Sequence, residues 1–140
     1  MNNSARWARR VGTFTAAVIG LMLSATIHAA DPSGPKVLGV LMYADGCGSC
    51  KVLDPRLTAV QPEFGQSDIL FVRFDLTNER TAHQAGLLAR ALGVGELYER
   101  NSGKTGYLAL VDRATGRTID RITKDHLEQD IRAILRKASK

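Results

Sequence analysis

The chain has 140 residues, 44% hydrophobic and 24% charged, with a formal charge of +5. This is ordinary globular composition at the length of one domain, which excludes a multi-domain enzyme, a collagen, a coiled-coil rod and a disordered tail. Two cysteines are too few for a disulfide-dense mini-protein or a four-cysteine zinc site.

Residues 1–30 have the three parts of a secretory signal. Arg6, Arg9 and Arg10 form a basic start, an apolar stretch covers 11–27, and Ala29 and Ala30 end it before Asp31 and Pro32. Cleavage is expected after Ala29 or Ala30, although Ile27 or His28 falls where a small residue is preferred. The alternative is an uncleaved membrane anchor, since roughly 17 apolar residues approach the lower limit for a span. Either way the sequence predicts export, most simply to a bacterial periplasm, where a cysteine pair can be oxidised. The leader holds three of the basic residues and no acidic one, so residues 31–140 carry only +2. That leaves no basic stripe of the kind that marks nucleic-acid binding.

Residues 31–36 (DPSGPK) read as a linker, and 37–140 as the domain. The run 37–43 (VLGVLMY) is almost continuously apolar, as a strand buried on both faces is. Residues 44–49 (ADGCGS) are a loop. A helix is predicted from about Cys50 towards Gln61, with Val52, Leu53, Leu57 and Val60 at helical spacing and a bend at Pro55. A second strand follows at 69–76 (ILFVRFDL). Thr77 or Asn78 then caps a helix running to about Leu92, with Ala85, Leu88, Ala89 and Leu92 on its apolar face and Gly93 as its stop. Residues 95–106 have few apolar side chains and read as a long loop, a functional candidate on length alone. Two strands at 107–111 and 117–122 flank a five-residue turn containing Gly116, the pattern of a hairpin. The last helix is predicted to start near Asp125, with Glu128 three residues on and Leu127, Ile131, Ile134 and Leu135 facing inward. The order β-α-β-α-β-β-α predicts an α/β fold, a central mixed β-sheet flanked by helices.

Both cysteines lie in Cys47-Gly48-Ser49-Cys50, after a buried strand and at the opening of a helix, inside a βαβ unit. Thiol–disulfide exchange needs that context. At a helix N-terminus, free N–H groups and the helix dipole favour a thiolate at Cys47, and such sites lower a cysteine pKa from about 8.5 to between about 3.5 and 7.5. Cys50, one turn on, is placed to attack a mixed disulfide formed at Cys47 and release the product. Gly48 and Ser49 leave the approach open, and Ser49 offers a hydroxyl or N–H to a sulfur. A purely structural bridge closes too short a loop to stabilise much. A metal site is the other alternative, built from both thiols and one of the histidines of the mature chain, His83 or His126.

With these residues in place, the chain resembles the thioredoxin superfamily. Residues 41–57 (LMYADGCGSCKVLDPRL) look like its strand–active-site–helix segment, with Tyr43-Ala44, Cys47, Gly48, Cys50, Lys51 and Pro55 on matching positions. Residues 69–94 are particularly similar to the C-terminal, periplasmic domain of DsbD-type thiol:disulfide interchange proteins. The resemblance covers about residues 37–138 and implies a thioredoxin-like fold and thiol:disulfide oxidoreductase activity. Four departures stand out. Gly46 replaces the usual aromatic before the first cysteine, and Ser49 the proline between the cysteines. Leu41 falls where many thioredoxins bury an acid, and Gly106 where the family has a cis-proline facing the disulfide. The extra N-terminal strand and helix of full thioredoxin are absent from the matched region.

Among the charged neighbours, Asp45 stands two residues before Cys47, either opposing its thiolate or simply solvated. Arg73 is suited to pair with a carboxylate near the active-site helix, or to face solvent at a sheet edge. Tyr98 and Tyr107 flank the long loop, as part of a substrate surface or as packing. The sequence therefore predicts an exported, periplasmic thiol:disulfide oxidoreductase. Cys47 attacks and Cys50 resolves, with Gly48, Ser49, Asp45 and Gly106 around them. The two sulfurs suffice without a bound organic cofactor. Its expected partners are thiols and disulfides of exported proteins and a redox partner, with no nucleic acid, and the membrane only through an uncleaved leader. The alternative function is a copper- or zinc-binding module using the same two thiols.

Overall fold

The computed structural model describes residues 34–140. The predicted leader, and the start of the linker, lie outside the described residues. No helix among those described is long and apolar enough to cross a membrane.

Four strands, β1 (Val37–Tyr43), β2 (Ile69–Asp75), β3 (Tyr107–Asp112) and β4 (Thr118–Thr123), form one sheet in the order β2-β1-β3-β4. β1 pairs in parallel with β2 and antiparallel with β3, and β3 pairs antiparallel with β4. β1 is central, which is why its apolar run needs no polar alternation: six of its seven residues are buried. The helices are α1 (Gly48–Val60), α2 (Glu79–Ala91), α3 (Gly95–Arg100) and α4 (Glu128–Ala138), with a 3-10 turn at Gln61–Phe64.

Alternation along the strands divides the core in two. Val37 and Leu41 of β1, with Leu108 and Leu110 of β3, pack against Leu53 and Leu57 of α1 and Ile131 and Leu135 of α4. Leu38, Val40 and Met42, with Ala109 and Val111, pack against Ala85 and Ala89 of α2 and Leu97 of α3. The mixed, helix-flanked sheet is the architecture expected from the order of elements.

Several boundaries and faces differ from the sequence reading. α1 begins at Gly48 rather than Cys50, because Cys47 caps it. It runs through Pro55 to Val60, and Val52 faces solvent at 42% exposure instead of joining the core. α2 is capped by Asn78, whose carboxamide accepts from Thr81 N while the Thr81 hydroxyl accepts from Asn78 N. Its inner face is Ala85, Gly86 and Ala89; Leu88 points outward. α4 starts three residues later than expected. Asp125 is held by Lys124 in the preceding turn, and Asp130 accepts from the Leu127 amide at the true helix start. Leu127 is exposed, and Ile131 and Leu135 carry the inner face.

The largest correction concerns residues 95–106, expected as a loop. Six of them form α3. Two side chains are enough because α2 supplies the surface they need. Leu97 is buried against it, and the Tyr98 hydroxyl donates to Ala82 O at 2.6 Å while its ring meets Phe74 edge-on. Asn101 ends α3, its buried carboxamide donating to Leu97 O.

Candidate active site

The sheet's parallel strands β1 and β2 finish at the same pole, and β3 begins there. β1 delivers the chain to residues 44–47, which turn it into α1. The Cys47 amide donates to Ala44 O at 3.1 Å, closing that turn. Cys47 then takes the N-cap position in extended backbone, and its sulfur accepts from Cys50 N at 3.1 Å. A thiolate there would receive the same N–H and the positive end of the α1 dipole.

Cys47 and Cys50 are joined as a disulfide with their Cα atoms 5.2 Å apart. Their environments are unequal. Cys47 is partly exposed, whereas Cys50 is 1% exposed, with its sulfur 3.9 Å from the Met42 carbonyl. On reduction, a Cys50 thiol at this place can donate to that oxygen. Nothing lies within 4 Å of a β-carbon built on Gly46 or Gly48, so the approach to Cys47 is open from that side.

Gly106, the residue before β3, faces the pair. Its amide donates to Met42 O at 2.8 Å, so one carbonyl touches both Cys50 and the Gly106 segment. Gly106 has φ +90°, and a β-carbon built on it would stand 3.2 Å from Cys47 Sγ and 2.5 Å from Ser49 Cβ. The backbone thus lies directly against the disulfide, in a conformation that glycine adopts freely and L side chains rarely do. This is the position that the resemblance assigns to a cis-proline; among the described residues every peptide bond is trans.

Asp45 is exposed and accepts from the Tyr43 hydroxyl at 3.0 Å, while its amide donates to Thr77 Oγ1 at 3.0 Å. The hydrogen bond to Asp45 raises the Tyr43 phenol above its ordinary pKa. Arg73 pairs with Asp54 of α1 at 2.5 Å and stacks over the Tyr43 ring, 4.4 Å from its centroid. The site loop is therefore braced from β2 and the β2–α2 turn. Arg73 meets the helix carboxylate its position suggested; the parts played by Tyr43, Thr77 and the Met42 carbonyl left no mark in the sequence. Leu41 is buried in the core at 3% exposure, so no acid stands there.

The remaining candidates lie elsewhere. Tyr107 is 5% exposed, with Arg121 over its ring, and Tyr98 packs on α2; both act in packing. His83 is exposed on α2, and His126 accepts from the Thr123 amide at 3.1 Å through Nδ1. No group of three or more histidines, cysteines or acids is placed to hold a metal ion among the described residues.

Two further observations bear on the architecture. The strand order β2-β1-β3-β4 follows one parallel and two antiparallel pairings, and the C-x-x-C closes the end of the central strand at the start of α1. The fold is thioredoxin-like. Solved structures similar to the chain include the following two. Trxlp from Edwardsiella tarda EIB202 is 19% identical over 72% of this chain and 82% of its own, with a TM-score of 0.45. Chlamydomonas reinhardtii thioredoxin f2 is 18% identical over 76% of this chain and 82% of its own, with a TM-score of 0.48. No protein-family model and no curated protein matches the sequence. On this thioredoxin-like fold, the disulfide joins a partly exposed sulfur at the α1 N-terminus to a buried one beneath it.

Proposed function

We propose that the protein is an exported thiol:disulfide oxidoreductase that exchanges disulfides with cysteine pairs of other envelope proteins. The observation that carries this reading is the asymmetry of the Cys47–Cys50 disulfide: a partly exposed sulfur caps α1, and a buried one lies beneath it. Export rests on the leader read in residues 1–30.

The chemistry balances on the two sulfurs. In the reducing direction, the Cys47 thiolate attacks one sulfur of a substrate disulfide. A Cys47–substrate S–S bond forms, and the other substrate sulfur leaves as a thiolate. Cys50, losing its proton to solvent, attacks Cys47 Sγ. The intramolecular disulfide closes, and the second substrate sulfur leaves as a thiolate. Two electrons pass to the substrate, whose thiolates take protons from water. In the oxidising direction each step reverses.

The first experiment is the reduction potential of the pair, set by glutathione or dithiothreitol buffers and read by alkylation and mass. A value near about −230 to −270 mV marks an electron donor, and one near about −120 to −180 mV an oxidant or isomerase. A pair that stays oxidised below about −300 mV is structural and overturns the proposal. In parallel, Cys47→Ser should abolish exchange and Cys50→Ser should accumulate mixed disulfides. Full exchange by Cys47→Ser would also overturn it. The metal-carrier alternative finds no third ligand beside the two sulfurs among the described residues.

A further inference from the structure

A cleft of about 680 Å³ opens at the pole of the sheet opposite the disulfide. Its place follows from strand direction. β3 leaves the disulfide pole at Tyr107 and reaches the far pole at Asp112, so the β3–β4 turn lies there. α2 starts just after β2 and ends at that same far pole. The cleft lies between the α2–α3 turn and the β3–β4 turn, which come close together: a β-carbon added to Gly116 would stand 3.8 Å from Gly93 O.

Three arginines line it, Arg90 from α2, Arg100 from α3 and Arg117 from the hairpin, against one carboxylate, Glu96. Glu96 is committed to Arg100, at 2.9 Å. Among the described residues, Arg90 and Arg117 have no carboxylate within salt-bridge distance. Asp112, at the base of the hairpin, is outside the lining, and its Oδ1 accepts from the Thr115 amide and hydroxyl. The stem of Arg90 is laid against the turn, since a β-carbon on Gly95 would come within 3.2 Å of its Cγ.

This arrangement has a direct electrostatic consequence. Guanidinium groups gathered around one concavity repel one another, and a bound anion relieves that repulsion. Asp112, whose carboxyl Thr115 and, to a smaller extent, Arg117 hold below its ordinary pKa, lies outside the lining. The C-terminal end of α2 also meets the cleft and carries partial negative charge, so the attraction for an anion comes from the side chains. A guanidinium presents paired N–H donors that match the two oxygens of a phosphate or carboxylate. The volume falls within the roughly 300–1,000 Å³ typical of small-ligand sites.

We propose that this cleft binds a small oxyanion with two or more negative charges, gripped by Arg90 from the helix wall and Arg117 from the hairpin wall, with Arg100 beside them. Phosphate- and carboxylate-bearing molecules share the chemistry it recognises. The site is remote from the disulfide and does not depend on its redox reading.

The test is an amide chemical-shift titration of the full chain with pyrophosphate and, separately, with citrate, at matched ionic strength. The expected result is a saturable response at Gly93, Gly95, Gly116 and Thr118 to at least one probe. Which probe saturates distinguishes a phosphate from a carboxylate ligand. Arg90→Gln and Arg117→Gln, both at exposed side chains, should each weaken that response about tenfold or more, as losing a charged hydrogen-bonded contact does. Arg121→Gln, outside the cleft, should leave it unchanged. Shifts that never saturate, that spread over basic groups across the surface, or that persist in the two cleft variants overturn the proposal. So does a response confined to a Glu-rich peptide or to phosphatidylglycerol vesicles.

Discussion

The backbone of Gly106 lies against the sulfur of Cys47, so closely that a β-carbon on Gly106 would come within 3.2 Å of Sγ and 2.5 Å of Ser49 Cβ. Two separable costs follow for Gly106→Ala. A φ of +90° is unfavourable for an L residue by about 1–2 kcal/mol, and the contact with Ser49 forces a shift. The expected loss is about 2–4 kcal/mol in urea unfolding of the oxidised protein. Adding Ser49→Gly should return the share due to Ser49 and leave the dihedral share and the contact with Cys47 Sγ. A neutral Gly106→Ala would show that the two segments do not touch. Gly106→Pro should be worse than Ala, because a ring fixed near φ −65° opposes +90° and the Gly106 amide that donates to Met42 is lost.

The unequal burial of the two sulfurs predicts an order of reaction. In the reduced protein, iodoacetamide should modify Cys47 at least about tenfold faster than Cys50, since reactivity follows access and thiolate character. Peptide mass mapping at short times checks this. Equal rates, with the protein still folded, would contradict the placement of Cys50 beneath the surface.

Arg73 makes two contacts with different dependence on salt. The pair with Asp54 is partly exposed, 46% and 27% for the two side chains, and contributes about 0.2–1 kcal/mol. Its stacking on Tyr43 adds about 0.5–1 kcal/mol. Arg73→Ala should therefore destabilise more than Asp54→Asn. The Asp54→Asn effect should shrink in 0.5 M salt, while part of the Arg73→Ala effect persists. Identical losses in both variants at both salt concentrations would show that the stacking contributes nothing.

Gly86 on α2 lets the Tyr98 ring approach, and an alanine there would bring Cβ to 3.2 Å from Tyr98 Cε1. Helix propensity alone favours Gly86→Ala by about 1 kcal/mol. The ring cannot slide away cheaply, because its hydroxyl is bound to Ala82 O and its edge contact with Phe74 holds it. Gly86→Ala should therefore destabilise the native protein and stabilise a Tyr98→Ala background. Thermal unfolding of the four proteins gives the sign in each.

Hydrogen bonds from Thr115, through its hydroxyl and its amide, hold the Asp112 carboxyl below its ordinary pKa. A carboxyl depressed in the folded state contributes stability that is present above the unfolded value, about 3.9, and is lost as pH falls through the folded value. Asp112→Asn keeps an acceptor but cannot titrate. Its stability should fall less steeply than that of the native chain below about pH 4, with the two curves parallel at neutral pH. Denaturant midpoints across that range test it.

Much of this molecule was legible in its sequence, because the signals concerned are local. The apolar run at 37–43 specifies a strand covered on both faces, and the C-x-x-C at its end specifies where the disulfide forms. Asn78 and Gly93 bracket α2, through a side chain that caps its own helix and a residue that turns out of it at φ +76°. Tertiary structure decided what depends on residues distant in the chain. Leu97 and Tyr98 are too few to announce a helix, and α3 exists because α2 and Phe74 receive them. The resemblance places Gly106 opposite the disulfide, but its φ of +90° and its approach to the sulfur of Cys47, 59 positions away, come from strand pairing. Arg90 and Arg117 become a pair only when the end of α2 meets the hairpin. Periodicity and capping act over a few residues and are written in order along the chain. The approach of two segments is set by how the sheet packs, which no short stretch of sequence contains.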